Sequence, residues 1–474
     1  MDTVDERRPR QRFTRWAAGH HLAFELRETA KLALPIVLTQ LGQMAMMTTN
    51  LAFIGRMGPE AVAAVALASR VYLVSFTFGA GLLAAIAPLA AQAFGADDLP
   101  VARRSLRMGL WAALLLSVPI VAFAVRGEQI LLTIGQSPKA ARLAQQYLFG
   151  LACGIAPALL FQALRNFLGA VNRPEPILWI TLAAAPINAL LVYLLIYGKL
   201  GLPRLELFGA GLATTLVNCG TFLAGLWFAT MRRPLGEYHV LAHLWRFDWP
   251  LMRQLIVIGM PISIAYLIGY GVFSAAALLA GLIGTRALAA HQIALQVAAT
   301  LAMIPFGISM AAAVRVGHAV GRNDGPGIKR AGLVAILLGV LIATMLTLAV
   351  IPARFQIAKL FLSEPAGDGD TTIRLAAKLL LVVASLSISD AVQNVAAGGL
   401  RGLNDTRMPL LFACISYWVI GFSLSYVLGL KIGLGATGIW IGLSIGTTVY
   451  AGFLVLRFQL LADRLALQSR HLIA

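Results

Sequence analysis

Long apolar runs follow one another along almost the whole chain and are separated by short polar segments. Each run reaches about 20 residues, which is long enough for a helix to cross the hydrocarbon core of a membrane. The alternating ten-residue pattern of a membrane β-barrel strand is absent from the sequence. The pattern therefore predicts an all-α polytopic membrane protein with twelve transmembrane helices. The predicted spans are 30–54, 61–94, 105–125, 141–169, 176–197, 207–230, 254–282, 288–319, 330–352, 373–400, 408–430 and 435–458.

Composition supports this class of protein. Of the 474 residues, 59% are hydrophobic and only 12% are charged, whereas a soluble protein carries roughly a quarter charged residues. The net charge of +18 indicates basic tails and loops beside an anionic inner leaflet, and no nucleic-acid partner is expected. Cys153, Cys219 and Cys414 all fall in apolar spans, so no disulfide framework is expected.

The two halves of the chain repeat one another at an offset of 226 residues. "LPIVLTQLGQ" from Leu34 aligns with "MPISIAYLIG" from Met260, and Pro35 aligns with Pro261. Gly95 aligns with Gly321 in the same register. Six spans in each half is an even number, so both halves enter the membrane from the same side. We therefore predict two six-helix lobes related by a parallel pseudo-twofold axis along the membrane normal.

Charge and hydropathy together predict five regions. They are a basic cytosolic tail (1–29), an N-terminal six-helix lobe (30–230), a cytosolic amphipathic linker (231–253), a C-terminal six-helix lobe (254–458) and a cytosolic tail (459–474). The excess of Lys and Arg in the tails predicts that both termini are cytoplasmic. The linker is basic and carries Trp245 and Trp249, which is typical of a segment on the membrane surface. His239 and His243, four residues apart, could meet on a helix face there, but two ligands are too few for a metal site.

One of the 20 acidic residues, Asp390, falls deep inside a predicted span. A carboxylate at the bilayer centre costs on the order of 3 kcal/mol, so it must face the bundle interior or a wet cavity. Gln393 and Asn394 follow at helical spacing and share its face. No basic residue is an evident mid-membrane partner. A buried carboxylate can take up and release a proton near neutral pH, so we interpret Asp390 as the ion-coupling residue.

Other polar side chains also fall within the spans. Each alone is more typical of helix–helix hydrogen bonding than of ligand binding. Taken together they suit a substrate cavity that offers few charges and many adaptable contacts. The candidate cavity residues are Gln43, Asn50, Asn188, Tyr266, Tyr270, Gln292, Gln393 and Asn394.

Several motifs are similar to those of a known transporter family. They are "IGRMG" at the end of the first span, "LAAHQIALQ" (288–296), "RVGHAVGRND" (315–324), "SDAVQNVAAGGLRGLND" (389–405) and "ISYWVIG" (415–421). With them the chain resembles the multidrug and toxic compound extrusion (MATE) family, in its bacterial NorM-type branch. The resemblance implies a multi-pass antiporter of the bacterial inner membrane. It also implies export of bulky, often cationic organic compounds in exchange for protons or sodium ions.

The family pattern is only partly present. Asp390 matches the functional aspartate of the tenth span, and Asn188 matches an asparagine of the fifth span. The first-span aspartate position reads Asn50, and the seventh-span glutamate position reads Gly269. The tyrosine often found four residues before the tenth-span aspartate reads Leu386. Sodium prefers several hard oxygen ligands, so one remaining carboxylate favours a proton as the coupling ion.

The alternatives to such an antiporter are a flippase, an enzyme and a channel. A flippase for lipid-linked saccharides on a related fold would need basic residues in mid-span, and none is evident. A membrane-embedded enzyme would need converging reactive groups, and a channel would need rings of charge along a pore. Neither pattern is seen. We expect no cofactor besides the coupling ion, small organic cations or amphiphiles and membrane lipids as partners, and a monomer, since two lobes already form a cavity.

Overall fold

The computed structural model describes residues 8–233, 236, 239–362 and 369–471, with side chains between residues 19 and 469. Its helices are α1 (Arg8–Gly55), α2 (Pro59–Leu83), α3 (Ile86–Gly95), α4 (Leu99–Val125), α5 (Gly127–Ile134), α6 (Pro138–Ala152), α7 (Ile155–Ala170), α8 (Glu175–Tyr197), α9 (Glu206–Met231), α10 (Trp249–Ile283), α11 (Thr285–Gly321), α12 (Gly325–Phe361), α13 (Gly369–Gly402), α14 (Arg407–Ala413), α15 (Ser423–Tyr426) and α16 (Ala436–His471). Two π-helical stretches, Cys414–Phe422 and Val427–Lys431, follow α14 and α15 directly, so that the chain is helical without a break from Arg407 to Lys431.

The predicted number of spans agrees with these helices. Within the described residues, eleven helical segments are long and apolar enough to cross a membrane. The pair α6 and α7 supplies the twelfth, with a bend of 52° at its break. A second break separates α2 from α3, but together these helices form the single span Pro59–Gly95. The all-α, twelve-span fold class is therefore confirmed.

Two helices extend well past their predicted spans. α1 begins at Arg8 and α16 ends at His471, so the described parts of both predicted tails are helical. Hydropathy marks where a helix enters the bilayer and carries no information about where the helix itself stops. Packing supports the extension of α16, since a Cβ on Gly325 at the start of α12 would meet the Cα of Ala466 at 2.6 Å.

The predicted linker is mostly non-helical where it is described, but α9 ends at Met231 and α10 begins at Trp249, inside its predicted range. Residues 240–245 form turns, and Trp111 Nε1 donates to the Leu244 carbonyl at 2.8 Å, which holds the linker against α4. His239 and His243 both have positive φ, at 45° and 59°, so they do not share a helix face. Residues 234–235 and 237–238 lie outside the described residues, and the surface orientation of the linker stays a prediction.

Each half of the chain has its own apolar core, and one core crosses between the halves. A buried cluster of the second half surrounds Trp440 and Phe458. The cluster of the first half includes Leu255, Ile258 and Ile308, which belong to α10 and α11. The lobes are therefore joined by buried apolar contacts as well as by the chain.

Candidate functional site

Asp390 lies on α13 and its carboxylate is held by an amide. Gln393 Nε2 donates to Asp390 Oδ1 at 2.8 Å, and Asn394 Nδ2 donates to the Asp390 backbone carbonyl at 2.9 Å. The side chain of Asp390 is partly exposed, whereas Gln393 is 7% exposed. Within the described part of the chain, no ion pair joins Asp390 to a basic residue. This placement agrees with a carboxylate that stands without a fixed countercharge.

A residue that the sequence analysis missed completes this network. Tyr417, from the π-helical stretch of span eleven, donates its hydroxyl to Gln393 Oε1 at 2.8 Å. The Tyr417 side chain is 7% exposed, and its ring packs on that of Tyr450 with centroids 5.2 Å apart. Its position in the motif "ISYWVIG" could have marked it as a functional residue. Sequence spacing could not predict its contact with Gln393, because the two residues are 24 positions apart on different spans.

The N-terminal lobe has a neutral counterpart to this network. Asn188 Nδ2 donates to Asn50 Oδ1 at 2.6 Å, and Asn50 Nδ2 donates to Thr214 Oγ1 at 3.4 Å. Asn188 is 2% exposed. The structure thus brings two predicted cavity residues together and adds Thr214 from α9. The geometry alone accounts for both amides as helix–helix hydrogen bonds.

Two arginines, Arg165 near the end of α7 and Arg401 in the last turn of α13, turn towards predicted cavity residues. Arg165 Nη1 donates to Gln43 Oε1 at 3.1 Å, and Arg165 Nε is buried with no partner in the described residues. Arg401 is 8% exposed and donates to the Tyr266 hydroxyl at 2.8 Å. Both therefore neighbour predicted cavity residues, Gln43 and Tyr266, as uncompensated cations.

The two remaining cavity candidates are placed differently. Tyr270 is 41% exposed and Gln292 is also exposed. No side-chain hydrogen bond is described for either residue. Their assignment to a substrate cavity stays a prediction.

Two hydrogen bonds clamp the lobes together, and their side-chain donors occupy equivalent positions in the two repeats. Gln92 Nε2 donates to the Gly402 carbonyl, at the end of α13, at 2.8 Å. Its repeat equivalent, His318, has Nε2 2.7 Å from the Ala170 carbonyl, at the end of α7. Because that partner is a carbonyl, His318 Nε2 carries the proton and donates. The N-terminal lobe thus bonds the end of span ten, and the C-terminal lobe bonds the end of span four.

Glycines allow this close approach. A Cβ on Gly95 would overlap the His318 carbonyl, and a Cβ on its repeat equivalent Gly321 would overlap the Gln92 carbonyl. The two overlaps involve equivalent residues of the repeat, with the roles of the two lobes exchanged. The sequence repeat is therefore confirmed as a pseudo-twofold relation between the lobes.

A buried ion pair also joins the lobes. Arg315 Nε and Nη2 donate to the two carboxylate oxygens of Glu25, each at 2.9 Å. The two side chains are 9% and 10% exposed. Glu25 lies on α1, so the predicted tail supplies a buried contact to α11.

All these contacts lie on one side of the bundle, which we call the terminal side because α1 begins and α16 ends there. Glu25 is near the start of its span, and Gln92, Ala170, His318 and Gly402 are near the ends of theirs. A cavity between the lobes, lined by Thr39, Arg165 and Met310 among others, has a volume of about 20 Å³. That is room for about one water molecule. A second cavity of about 270 Å³ is lined in part by Glu25 and Arg315. Because the lobes are nevertheless joined by the contacts above, we call the terminal side closed in this conformation.

A family model named MatE matches residues 35–194 and 261–427. The chain belongs to the MatE family. A relative in Bradyrhizobium diazoefficiens, named probable multidrug resistance protein NorM, is 60% identical over 446 residues, covering 94% of this chain and 96% of the relative. A relative of the same name in Agrobacterium fabrum is 38% identical and covers 92% and 94% of the two chains. This family of membrane transporters is not a class of enzymes.

Solved structures share the fold of this MatE protein. The eukaryotic MATE transporter AtDTX14 matches with a TM-score of 0.84 at 19% identity, covering 94% of this chain and 99% of that one. An outward-facing multidrug resistance MATE transporter of the MOP superfamily matches with a TM-score of 0.84 at 21% identity, covering 93% and 96%. The two-lobed architecture predicted from the sequence is therefore that of the family.

Proposed function

We propose that this MatE protein is a secondary antiporter that exports bulky, often cationic organic compounds in exchange for protons. The proposal extends the multidrug resistance names of its relatives to a stated mechanism. The observation that carries it is Asp390, a carboxylate within α13 that is bonded to an amide and has no described basic partner. Such a group can change its protonation state without breaking an ion pair.

The helix that carries Asp390 also reaches the contact between the lobes. Gly402, which accepts from Gln92, lies twelve residues along α13, about 18 Å at 1.5 Å per residue. Any shift of α13 on protonation of Asp390 therefore acts on the clamp at the terminal side. The ion drives transport because it binds one conformation more tightly than the other.

The orientation follows from the charge of the tails. With both termini in the cytoplasm of the bacterial inner membrane, the closed terminal side is the cytoplasmic side. This conformation then presents its binding surfaces outward. Substrate enters from the cytoplasm or inner leaflet once the lobes part on that side, and a monomer suffices because both lobes belong to one chain.

The coupling ion is a proton and not sodium in this proposal. Asn50 occupies one position where relatives carry an acid, and its neighbours are Asn188 and Thr214. Gly269 occupies the other. A single carboxylate suits a single proton, whereas a sodium ion at Asp390 would have to take its other ligands from amide, hydroxyl and backbone oxygens.

Proteoliposomes with a fluorescent cationic dye test the proposal. Uptake is measured under an imposed proton gradient and then a sodium gradient. We expect proton-driven uptake that is lost in Asp390→Asn. Asp370→Asn is the matched control, because Asp370 lies on the same helix in an exposed pair with Arg374, and it should transport normally. Full driven uptake by Asp390→Asn refutes the coupling role, and uptake driven by sodium alone refutes the choice of ion.

Flipping of a lipid-linked saccharide is the second candidate. Arg401 and the Nε atom of Arg165 are buried, and no ion pair to a carboxylate is described for either arginine, which suits an anionic group on a substrate. Absence of dye uptake under both gradients, combined with translocation of a pyrophosphate-linked lipid in the same vesicles, identifies this function instead.

A further inference from the structure

Gln393 uses both ends of its side-chain amide. Its Nε2 donates to Asp390 Oδ1 and its Oε1 accepts from the Tyr417 hydroxyl, both at 2.8 Å. An amide has one accepting end and one donating end. An ionised carboxylate only accepts, so it selects the amino group of Gln393. Tyr417 then pairs the amide oxygen that is left.

The position of Tyr417 is itself strongly constrained. Tyr417 lies in the π-helical stretch Cys414–Phe422, and π-helical turns occur frequently at functional sites. The ring packs on Tyr450, and the next residue, Trp418, donates Nε1 to the Ile268 carbonyl at 3.3 Å. The hydroxyl therefore reaches Gln393 from a stretch that contacts two other spans through Tyr450 and Ile268.

A tyrosine hydroxyl can serve both protonation states of Asp390, because it donates and accepts. When Asp390 is ionised, the hydroxyl donates to Gln393 Oε1 and the amide donates to the carboxylate, as in this structure. When Asp390 is protonated, its O–H needs an acceptor. A rotated Gln393 amide offers Oε1 to that proton and donates Nε2–H to the tyrosine oxygen. Every buried polar group then keeps a partner in either state.

We infer that Tyr417 is a positioning residue for ion coupling, which lets the Gln393 amide follow the protonation state of Asp390. This inference rests on the proposed function of Asp390. Phenylalanine has neither the donor nor the acceptor, so Tyr417→Phe leaves one end of Gln393 unpaired in both states. During the rotation the amide then has no hydroxyl that exchanges donor and acceptor roles with it, so we expect the conversion between the states to be slowed, while the substrate surfaces stay unchanged.

Tyr417→Phe in reconstituted vesicles tests the inference by the division between kcat and KM. We expect kcat for proton-driven dye transport to fall about tenfold, the equivalent of one buried hydrogen bond, with KM unchanged. Tyr450→Phe is the matched control. It removes a neighbouring buried hydroxyl that bonds the Pro409 carbonyl at 3.3 Å and touches neither Gln393 nor Asp390, so kcat should stay near wild type.

A double-variant cycle separates positioning from packing. Gln393→Met removes the amide at similar volume, and Tyr417→Phe should have no further effect on kcat in that background. Additive losses would show that Tyr417 acts only through the packing of its ring and would overturn the inference. If Tyr417→Phe does not fold, Gln393→Met alone must show the same fall in kcat at unchanged KM, and wild-type turnover overturns the inference.

Failure of the inference can be told apart from failure of the proposed function. Wild-type kcat in Tyr417→Phe, with transport abolished in Asp390→Asn, removes only the role of Tyr417. Driven transport by Asp390→Asn removes the proposed function whatever Tyr417→Phe does.

Discussion

The Glu25–Arg315 ion pair should control how often the terminal side opens. Glu25→Gln removes the charge of one partner and leaves the Arg315 guanidinium, whose side chain is 9% exposed, buried without a counterion. Breaking a buried pair in this way costs about 3 kcal/mol or more. The cost falls on the closed conformation alone, because Arg315 becomes hydrated once the lobes part. A shift of about 3 kcal/mol changes the ratio of conformations by roughly a hundredfold, so a closed-to-open ratio near 99:1 moves towards equal populations.

Pulsed electron paramagnetic resonance measures this shift directly. Spin labels are placed at Arg173→Cys and Arg407→Cys, exposed positions at the terminal side of the two lobes, after the native cysteines have been replaced. We expect Glu25→Gln to move a large fraction of the distance distribution to longer separations in lipid nanodiscs. An unchanged distribution would refute the reasoning, because it would mean that the pair does not distinguish the two conformations.

Two controls show whether the unpaired charge is the cause. Lys329 and Asp463 pair at 2.7 Å but are 43% and 54% exposed, and they join α12 to α16, which both belong to the second half of the chain. Exposed pairs contribute about 0–1 kcal/mol, so Asp463→Asn should leave the distances unchanged. Glu25→Leu combined with Arg315→Met removes both charges, and the closed population should recover.

The clamp between the lobes gives two further predictions. Gly321→Ala places a Cβ against the Gln92 carbonyl and should destabilise the closed protein by about 1–3 kcal/mol, seen as a lower melting temperature, whereas Gly452→Ala, with open space around it, should not lower it. His318→Gln should keep transport near wild type, because its repeat equivalent is already a glutamine that donates to a carbonyl; His318→Leu leaves the Ala170 carbonyl unpaired and should slow transport several-fold, and equal activities of the two variants would contradict the donor role.

Local properties of the chain were sufficient to predict the architecture. The number of spans, the all-α class and the parallel repeat follow from apolar length and from the 226-residue offset, because membrane insertion is decided segment by segment. The unusual position of Asp390 deep in a span was predicted for the same reason. The free-energy cost of a carboxylate in the bilayer depends on its depth, which the sequence gives without knowledge of any partner. Its neighbours Gln393 and Asn394 followed from helical spacing alone.

Only the tertiary structure decided which side chains meet between helices. Tyr417 reaches Gln393 across 24 residues, Arg315 reaches Glu25 across 290, and Gln92 reaches Gly402 across 310. No local pattern encodes such pairs, because helix rotation and tilt are set by packing against neighbours. The same reason explains why the sequence did not reveal that Arg165 and Arg401, near the ends of α7 and α13, turn inward to Gln43 and Tyr266. Hydropathy places a residue at a depth in the membrane, and packing decides what it faces there.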